Sequence, residues 1–332
     1  MARAQGAYSR SRRSFCWTLA GVLVAPGIAI AQRSKIRRIG LLWAGTMAEN
    51  GSRRNALLQG LHDLGWIERQ TITFDELWAH GHYERLPALA SELVARQVEL
   101  ILALNGTPAA MAAMKATREI PIVAPAVGDP VASKLAKSLA YPGGNVTGTT
   151  NLSSELYSKR LALLKEALPG VKRAALLMNN ANPYSAEARR VSLDTGRSLG
   201  IELQVFDAGD THDFAKAFEE MSRTRMEAVL VSSDILFQAN VDQLGKLALS
   251  HQLPIMAGYH APGVLLAYNV NNVELYRQAA IYVDKILKGA KAGELPIEQP
   301  NHFTLFVDLK TAKTLGITIP QSLLLRADEV IQ

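Results

Sequence analysis

The chain echoes itself. RRIGLL (37–42) opens an amphipathic segment ending in DLGW, followed by ITFDEL; KRAALL (172–177) opens another ending in SLGI, followed by LQVFDAG. Leu41 and Gly65 are as far apart as Leu176 and Gly200. Further along, PALASELVARQVELILAL answers FAKAFEEMSRTRMEAVLVSS, and EIPIVAPAV answers QLPIMAGYH, at an offset near 130 residues. A unit repeated at this length has to fold into two similar bodies, each with its own hydrophobic core.

Each copy alternates short runs of Val, Ile and Leu with segments of helical period. Leu86, Leu89, Ala90, Leu93 and Val94 fall at i, i+3, i+4, i+7 and i+8, one face of a helix. Gly65 and Gly200 stand where a helix ends on a residue of positive φ. Strands separated by helices, with no hairpin signal, predict parallel sheets covered on both faces. The expected fold class is α/β: two Rossmann-like lobes, with parallel sheets flanked by helices.

In open parallel sheets, ligands sit beyond the carboxyl ends of the strands. In the first copy those positions carry Trp43, Thr46, Asn105, Thr107 and Asp129; in the second they carry Asn180, Asn182, Ser233, Asp234 and Tyr259. These are aromatic walls and short hydrogen-bonding groups, the usual lining of a cleft for a small organic molecule. Asp129-Pro130 is read as the N-cap and first residue of a helix at the cleft lip.

The first 31 residues read as a secretory signal peptide. Arg3, Arg10, Arg12 and Arg13 precede an apolar stretch, and AIA at 29–31 forms a small-residue cleavage site after Ala31. SRRSF resembles a twin-arginine motif, with the Sec route open beside it. Removing this segment takes four arginines from a formal charge of +6 and leaves +2, so no nucleic-acid partner is expected. Cys16, the single cysteine, leaves with it. The exported domain then has no disulfide and no cysteine nucleophile.

Catalytic patterns are missing. LLWAGTMAENGS lacks G-x-G-x-x-G, no Gly-Lys-Ser/Thr occurs, and GNVTG precedes an extended segment rather than a helix. Neither G-x-S-x-G nor H-E-x-x-H is present. His80 and His82 have no further ligands at metal spacing, and His260 has no nucleophile to serve. We therefore expect no metal, no cofactor and no enzyme activity.

IPIVAPAVGDPVASKLAKSLAYPGGNVTG, AYNVNNVELYRQAAIYVDKILKGAKAGELPIEQP and LKTAKTLGITIPQSLLLRADEVI resemble the ABC transporter substrate-binding proteins of the tryptophan/tyrosine-binding type, over about residues 36–331. The resemblance implies a type I periplasmic-binding-protein fold whose lobes are linked by three crossovers, near 147–151, 268–272 and 296–303. Lobe one then holds 36–149 with 270–298, and lobe two 150–269 with 299–332. It also places Thr107, Asp129, Asn182 and Asp234 at matching motif positions. Where amino-acid-binding members carry an aspartate after the late strand, this chain has Asn269, Asn271 and Asn272. A neutral or otherwise charged ligand stays open beside an amino acid, with Asn269 and Asn271 as candidate contacts. The implied protein is a periplasmic monomer that binds a small molecule and docks on an ABC permease with its ATPase subunits, reaching the membrane only through that permease. A ligand-sensing domain feeding a membrane receptor and a periplasmic enzyme are the alternatives. The effector domain of a lac-repressor-type regulator shares the fold, but a signal peptide stands where its helix-turn-helix belongs.

Overall fold

The computed structural model describes residues 36–332; the expected signal peptide lies outside the described residues. Strand and helix alternate through the first copy: β1 (Arg37–Trp43), α1 (Met47–Asp63), β2 (Ile72–Trp78), α2 (Leu86–Ala95), β3 (Leu100–Leu104), α3 (Thr107–Ala116), β4 (Ile122–Val127) and β5 (Val146–Thr150). The strands form a five-stranded parallel sheet in the order β2-β1-β3-β4-β5. The apolar runs at 100–104 and 122–127 are buried throughout, as a strand covered on both faces requires.

The second copy begins with α4 (Ser153–Ala167), β6 (Arg173–Met178), α5 (Ser185–Leu199), β7 (Glu202–Asp207), α6 (Asp213–Arg223) and β8 (Ala228–Val231). It continues with α7 (Ile235–Ala239), α8 (Val241–Ser250), β9 (Ile255–Ala257), β10 (Leu266–Val270) and α9 (Asn272–Leu287). The chain ends with β11 (Phe303–Asp308), α10 (Leu309–Thr314), α11 (Gln321–Leu324) and β12 (Glu329–Ile331). Its sheet has seven strands in the order β12-β11-β10-β9-β8-β6-β7. Strands β7-β6-β8-β9-β10 repeat the order β2-β1-β3-β4-β5, which is the echo of the sequence written in space. The helix stops are shared too: Gly65 has φ 85° and Gly200 φ 67°.

The expectation of wholly parallel sheets fails at one pair, since β10 and β11 run antiparallel. The reason is the path between them. α9 leaves the second sheet and packs on α1, β4 and β5 of the first. Leu275, Ala279, Val283 and Ile286 are its buried side chains toward that core. Each large apolar side chain buried this way contributes about 1.5–3 kcal/mol. The chain then follows β5, where the Glu298 N–H donates to the Gly148 carbonyl at 3.1 Å and Glu298 O accepts from Thr150 N–H at 2.9 Å. It re-enters the second sheet from the first, so β11 has to run against β10.

A second expectation also fails. No helix follows Asp129. Its carboxylate accepts from the Val131 and Ala132 N–H groups at 3.1 and 3.0 Å, but it caps only a turn. Lys134 adopts φ 59°, which ends the turn and sends Leu135 into the core of the first lobe. A continued helix would withdraw that leucine from its partners. Residues Lys35–Gln332 make up one compact unit. Among the described residues, no helix is long and apolar enough to cross a membrane.

Candidate functional site

The carboxyl ends of the two sheets border a common cavity with about 580 Å³ of empty space, its mouth included. The first lobe contributes Arg53 from α1, Tyr83, and Asn105-Gly106-Thr107 between β3 and α3. Tyr276 of α9 joins them. The second contributes Asn182 and Tyr184 ahead of α5, Ser233-Asp234 after β8, and Tyr259 after β9. Asn151 and Ser153, on the first crossover, line it as well.

Asn50 organises the first-lobe wall. Its Oδ1 accepts from Asn105 Nδ2 at 2.7 Å and from Arg53 Nη1 at 3.0 Å, and its Nδ2 donates to Thr46 O at 2.9 Å. Asn105 takes φ 71°, so its side chain can turn back toward Asn50 and accept from Gly45 N–H at 3.2 Å. Arg53 is only 8 % exposed, and its guanidinium lies 5.8 Å from the Tyr276 ring centroid. No carboxylate among the described residues pairs with it. Tyr276 Oη accepts the Asn105 N–H at 2.7 Å, and Thr107 Oγ1 accepts the Gly128 N–H at 3.0 Å. Each hydroxyl accepts one backbone N–H and keeps its own proton to donate.

Asp234 organises the opposite wall. It is 4 % exposed, and each oxygen holds two donors. Oδ1 accepts from Leu236 N–H at 2.8 Å, as the N-cap of α7, and from Asn179 Nδ2 at 3.4 Å. Oδ2 accepts from Asn182 Nδ2 at 2.8 Å and from the Tyr83 hydroxyl at 3.0 Å. Burial pushes this carboxyl above its usual range, and the four donors pull the other way. Burial, then the Asp234 charge, pushes the Tyr83 phenol well up, so it stays a donor. Tyr83 belongs to the first lobe and Asp234 to the second, so this bond ties them across the cavity mouth. Tyr83→Phe is expected to loosen the contact between the lobes at Asp234. Faster amide exchange at 234–236 would show it; unchanged exchange would mean that apolar contact alone holds the lobes.

Ser233 is held from behind. Its N–H donates to Tyr157 Oη at 2.8 Å, and its Oγ accepts from Arg160 Nη1 at 2.9 Å. Arg160 of α4 is fully buried; Nε donates to Tyr268 O at 2.8 Å and Nη2 has no partner. Its charge rests 5.8 Å from the Tyr157 ring centroid, and burial pulls its pKa down. Gly258 makes room for it, since a Cβ there would stand 2.6 Å from Nη2.

Six of the residues expected from strand ends or from the resemblance line the cavity: Asn105, Thr107, Asn182, Ser233, Asp234 and Tyr259. The other six are engaged elsewhere. Trp43 is fully buried, stacked on Trp78 at 4.6 Å, and its indole N–H donates to Glu76 at 2.9 Å. It backs Tyr276 at 6.0 Å rather than facing the cavity. Thr46 is the N-cap of α1 and forms a capping box with Glu49. Asp129 borders a groove beside the first crossover, where Ser154 Oγ donates to it at 3.4 Å. Asn180 is exposed and accepts from Arg189 at 2.8 Å. Asn269 donates to Gly258 O at 2.9 Å, and Asn271 caps α9. Its neighbour Asn272 lines the cavity instead, with Oδ1 buried and unpartnered. His260 stacks on Phe306 at 5.6 Å, away from the lining.

Strand-end reasoning missed Arg53, Tyr83, Tyr184 and Tyr276, which come from helices and loops. One signal was present. Asn50, Arg53 and Leu57 share the buried face of α1, and a face that begins polar before turning apolar marks the end that meets a site.

A family model described as ABC transporter substrate binding protein matches residues 50–331. The tyrosine-binding protein of Clostridioides difficile (strain R20291) is 26% identical over 267 residues, covering 80% of this chain and 76% of that protein. The crystal structure of an ABC domain in complex with L-Trp from Streptococcus pneumonia superposes with a TM-score of 0.81 at 25% identity, covering 89% of this chain and 100% of that one. A conserved domain protein from Vibrio cholerae O1 biovar eltor gives a TM-score of 0.82 at 26% identity, over 89% and 100%. With two type I lobes meeting at one lined cavity and a family match over most of its length, the chain belongs to the ABC transporter substrate-binding proteins.

Proposed function

We propose that this protein is the periplasmic receptor of an ABC importer and that it closes on one small, carboxylate-bearing organic solute without transforming it. The observation that carries this reading is a cavity lined from both lobes, with the buried, carboxylate-free guanidinium of Arg53 on its wall. A cation buried without a counterion is costly, and an anionic group of the solute offsets that cost. The amino-acid ligands named for two relatives agree with a carboxylate at this position. The expected signal peptide supports a periplasmic receptor, and the reading is completed by a monomer with the permease as its partner. The lobes divide at the crossovers, 36–149 with 270–298 against 150–269 with 299–332.

Closure is a population shift: a solute that touches both walls stabilises the closed form, and the permease recognises that form. A thermal-shift screen tests the receptor reading. A matched solute at a hundred times its dissociation constant should add about 2.7 kcal/mol of stability. Recovery of a chemically changed solute after incubation would favour the enzyme alternative instead.

A further inference from the structure

We propose that the solute is an organic acid with no ammonium group, a deepening that rests on the receptor reading above. An amino acid brings a carboxylate and an ammonium, and the ammonium needs a free anionic acceptor. Asp234 is the only carboxylate among the described residues that line the cavity, and it is already occupied. Four donors fill its two oxygens, three from the second lobe and the Tyr83 hydroxyl from the first. Both roles of this carboxylate, capping α7 and tying the lobes, are internal to the protein.

The rest of the lining offers protons. Thr107, Tyr276 and Ser233 each accept from a protein N–H, so each has its own hydrogen to give. No protein acceptor among the described residues takes those hydrogens, and the Tyr259 hydroxyl has no protein partner there at all. Arg53 adds a fork of donors, of which Nη1 is already bonded to Asn50 Oδ1. Asn272 Oδ1 is an uncharged acceptor that suits a ligand hydroxyl. The charge count points the same way. Of the charges around the Tyr259 phenol, Arg53 and Asp234 line the cavity and Arg160 lies behind Ser233, two cations against one anion. A monoanion neutralises that set; a zwitterion leaves it one positive charge in excess.

Isothermal titration of the mature protein with three matched probes tests the assignment. These are 3-phenylpropionate, L-phenylalanine and phenethylamine, which share a ring and differ only in charged groups. The acid should bind at least about tenfold more tightly than the amino acid, the amine should not bind, and Arg53→Gln should weaken the acid at least about thirtyfold. Circular dichroism checks that the variant folds. If it does not, Arg53→Lys, which keeps the charge but loses the fork, should retain part of the acid's affinity. L-phenylalanine binding as tightly as the acid overturns the assignment, and so does a complete lack of binding by the acid. If only an uncharged solute such as ribose binds, the acid assignment falls together with the carboxylate of the proposed function, and the role of a receptor that closes on a solute stands. A bound solute that fails to draw the lobes together removes the receptor reading itself.

Discussion

Replacing Arg160 with methionine is expected to stabilise the ligand-free protein by about 1–3 kcal/mol. The guanidinium is fully buried, and among the described residues no carboxylate answers it and Nη2 has no hydrogen bond. Methionine fills a similar volume and removes the cost of burying a charge. What the change loses is the pair of donors to Ser233 Oγ and Tyr268 O. Those bonds are worth less than the desolvation they accompany. The same substitution should weaken solute binding, because Ser233 then loses its support and a cation behind the cavity wall is gone. Urea unfolding with an unchanged m-value reads the first effect, and titration the second. A variant less stable than the parent by more than about 1 kcal/mol would make Arg160 a structural strut. A charge that destabilises the fold yet aids binding is what a site held ready for an anion should contain.

Gly148→Ala is the second large effect, and it acts on the fold rather than the site. Gly148 lies on β5 with φ 137°, and a Cβ there would stand 2.3 Å from the carbonyl oxygen of Ala124 on β4. Gly148 pairs with Ala124 across the ladder, just before a register shift between Ala124 and Val127. Its carbonyl also accepts from Glu298 N–H, at the point where the chain returns along β5. Overpacking and backbone strain together should cost about 3 kcal/mol. Gly144→Ala is the control, since a Cβ there meets nothing within 4 Å. It should change stability by less than about 0.5 kcal/mol. Equal melting of the two variants would contradict the close approach of β4 and β5.

The architecture was legible because it is written twice. Once Leu41–Gly65 and Leu176–Gly200 are seen to match, the strand order of one sheet follows from the other. The antiparallel β11 follows from α9 crossing to the first sheet, a detour that the resemblance implied by grouping 270–298 with lobe one. No local pattern in FTLFVD records that detour. At the site, strand ends gave six lining residues, since the topology fixes where strands end. It does not fix which face an end residue takes. Trp43 lies on β1 one side chain away from the cavity, turned toward Trp78 and Tyr276. Arg53 and Tyr276 reach the cavity from helices, where their side chains depend on how α1 and α9 pack on each other. Asp129 and Asn271 had the residue types of ligand contacts, and their carboxylate and amide cap a turn and a helix instead. Short polar side chains serve both purposes, and only the coordinates separate them.

Closing of two lobes around a guest is the claim on which the rest depends. Small-angle X-ray scattering of the mature protein, alone and with a solute shown by titration to saturate it, tests this directly. The radius of gyration should fall on saturation, as the two cavity walls are drawn together around the solute. Identical scattering curves with the site demonstrably full would contradict it.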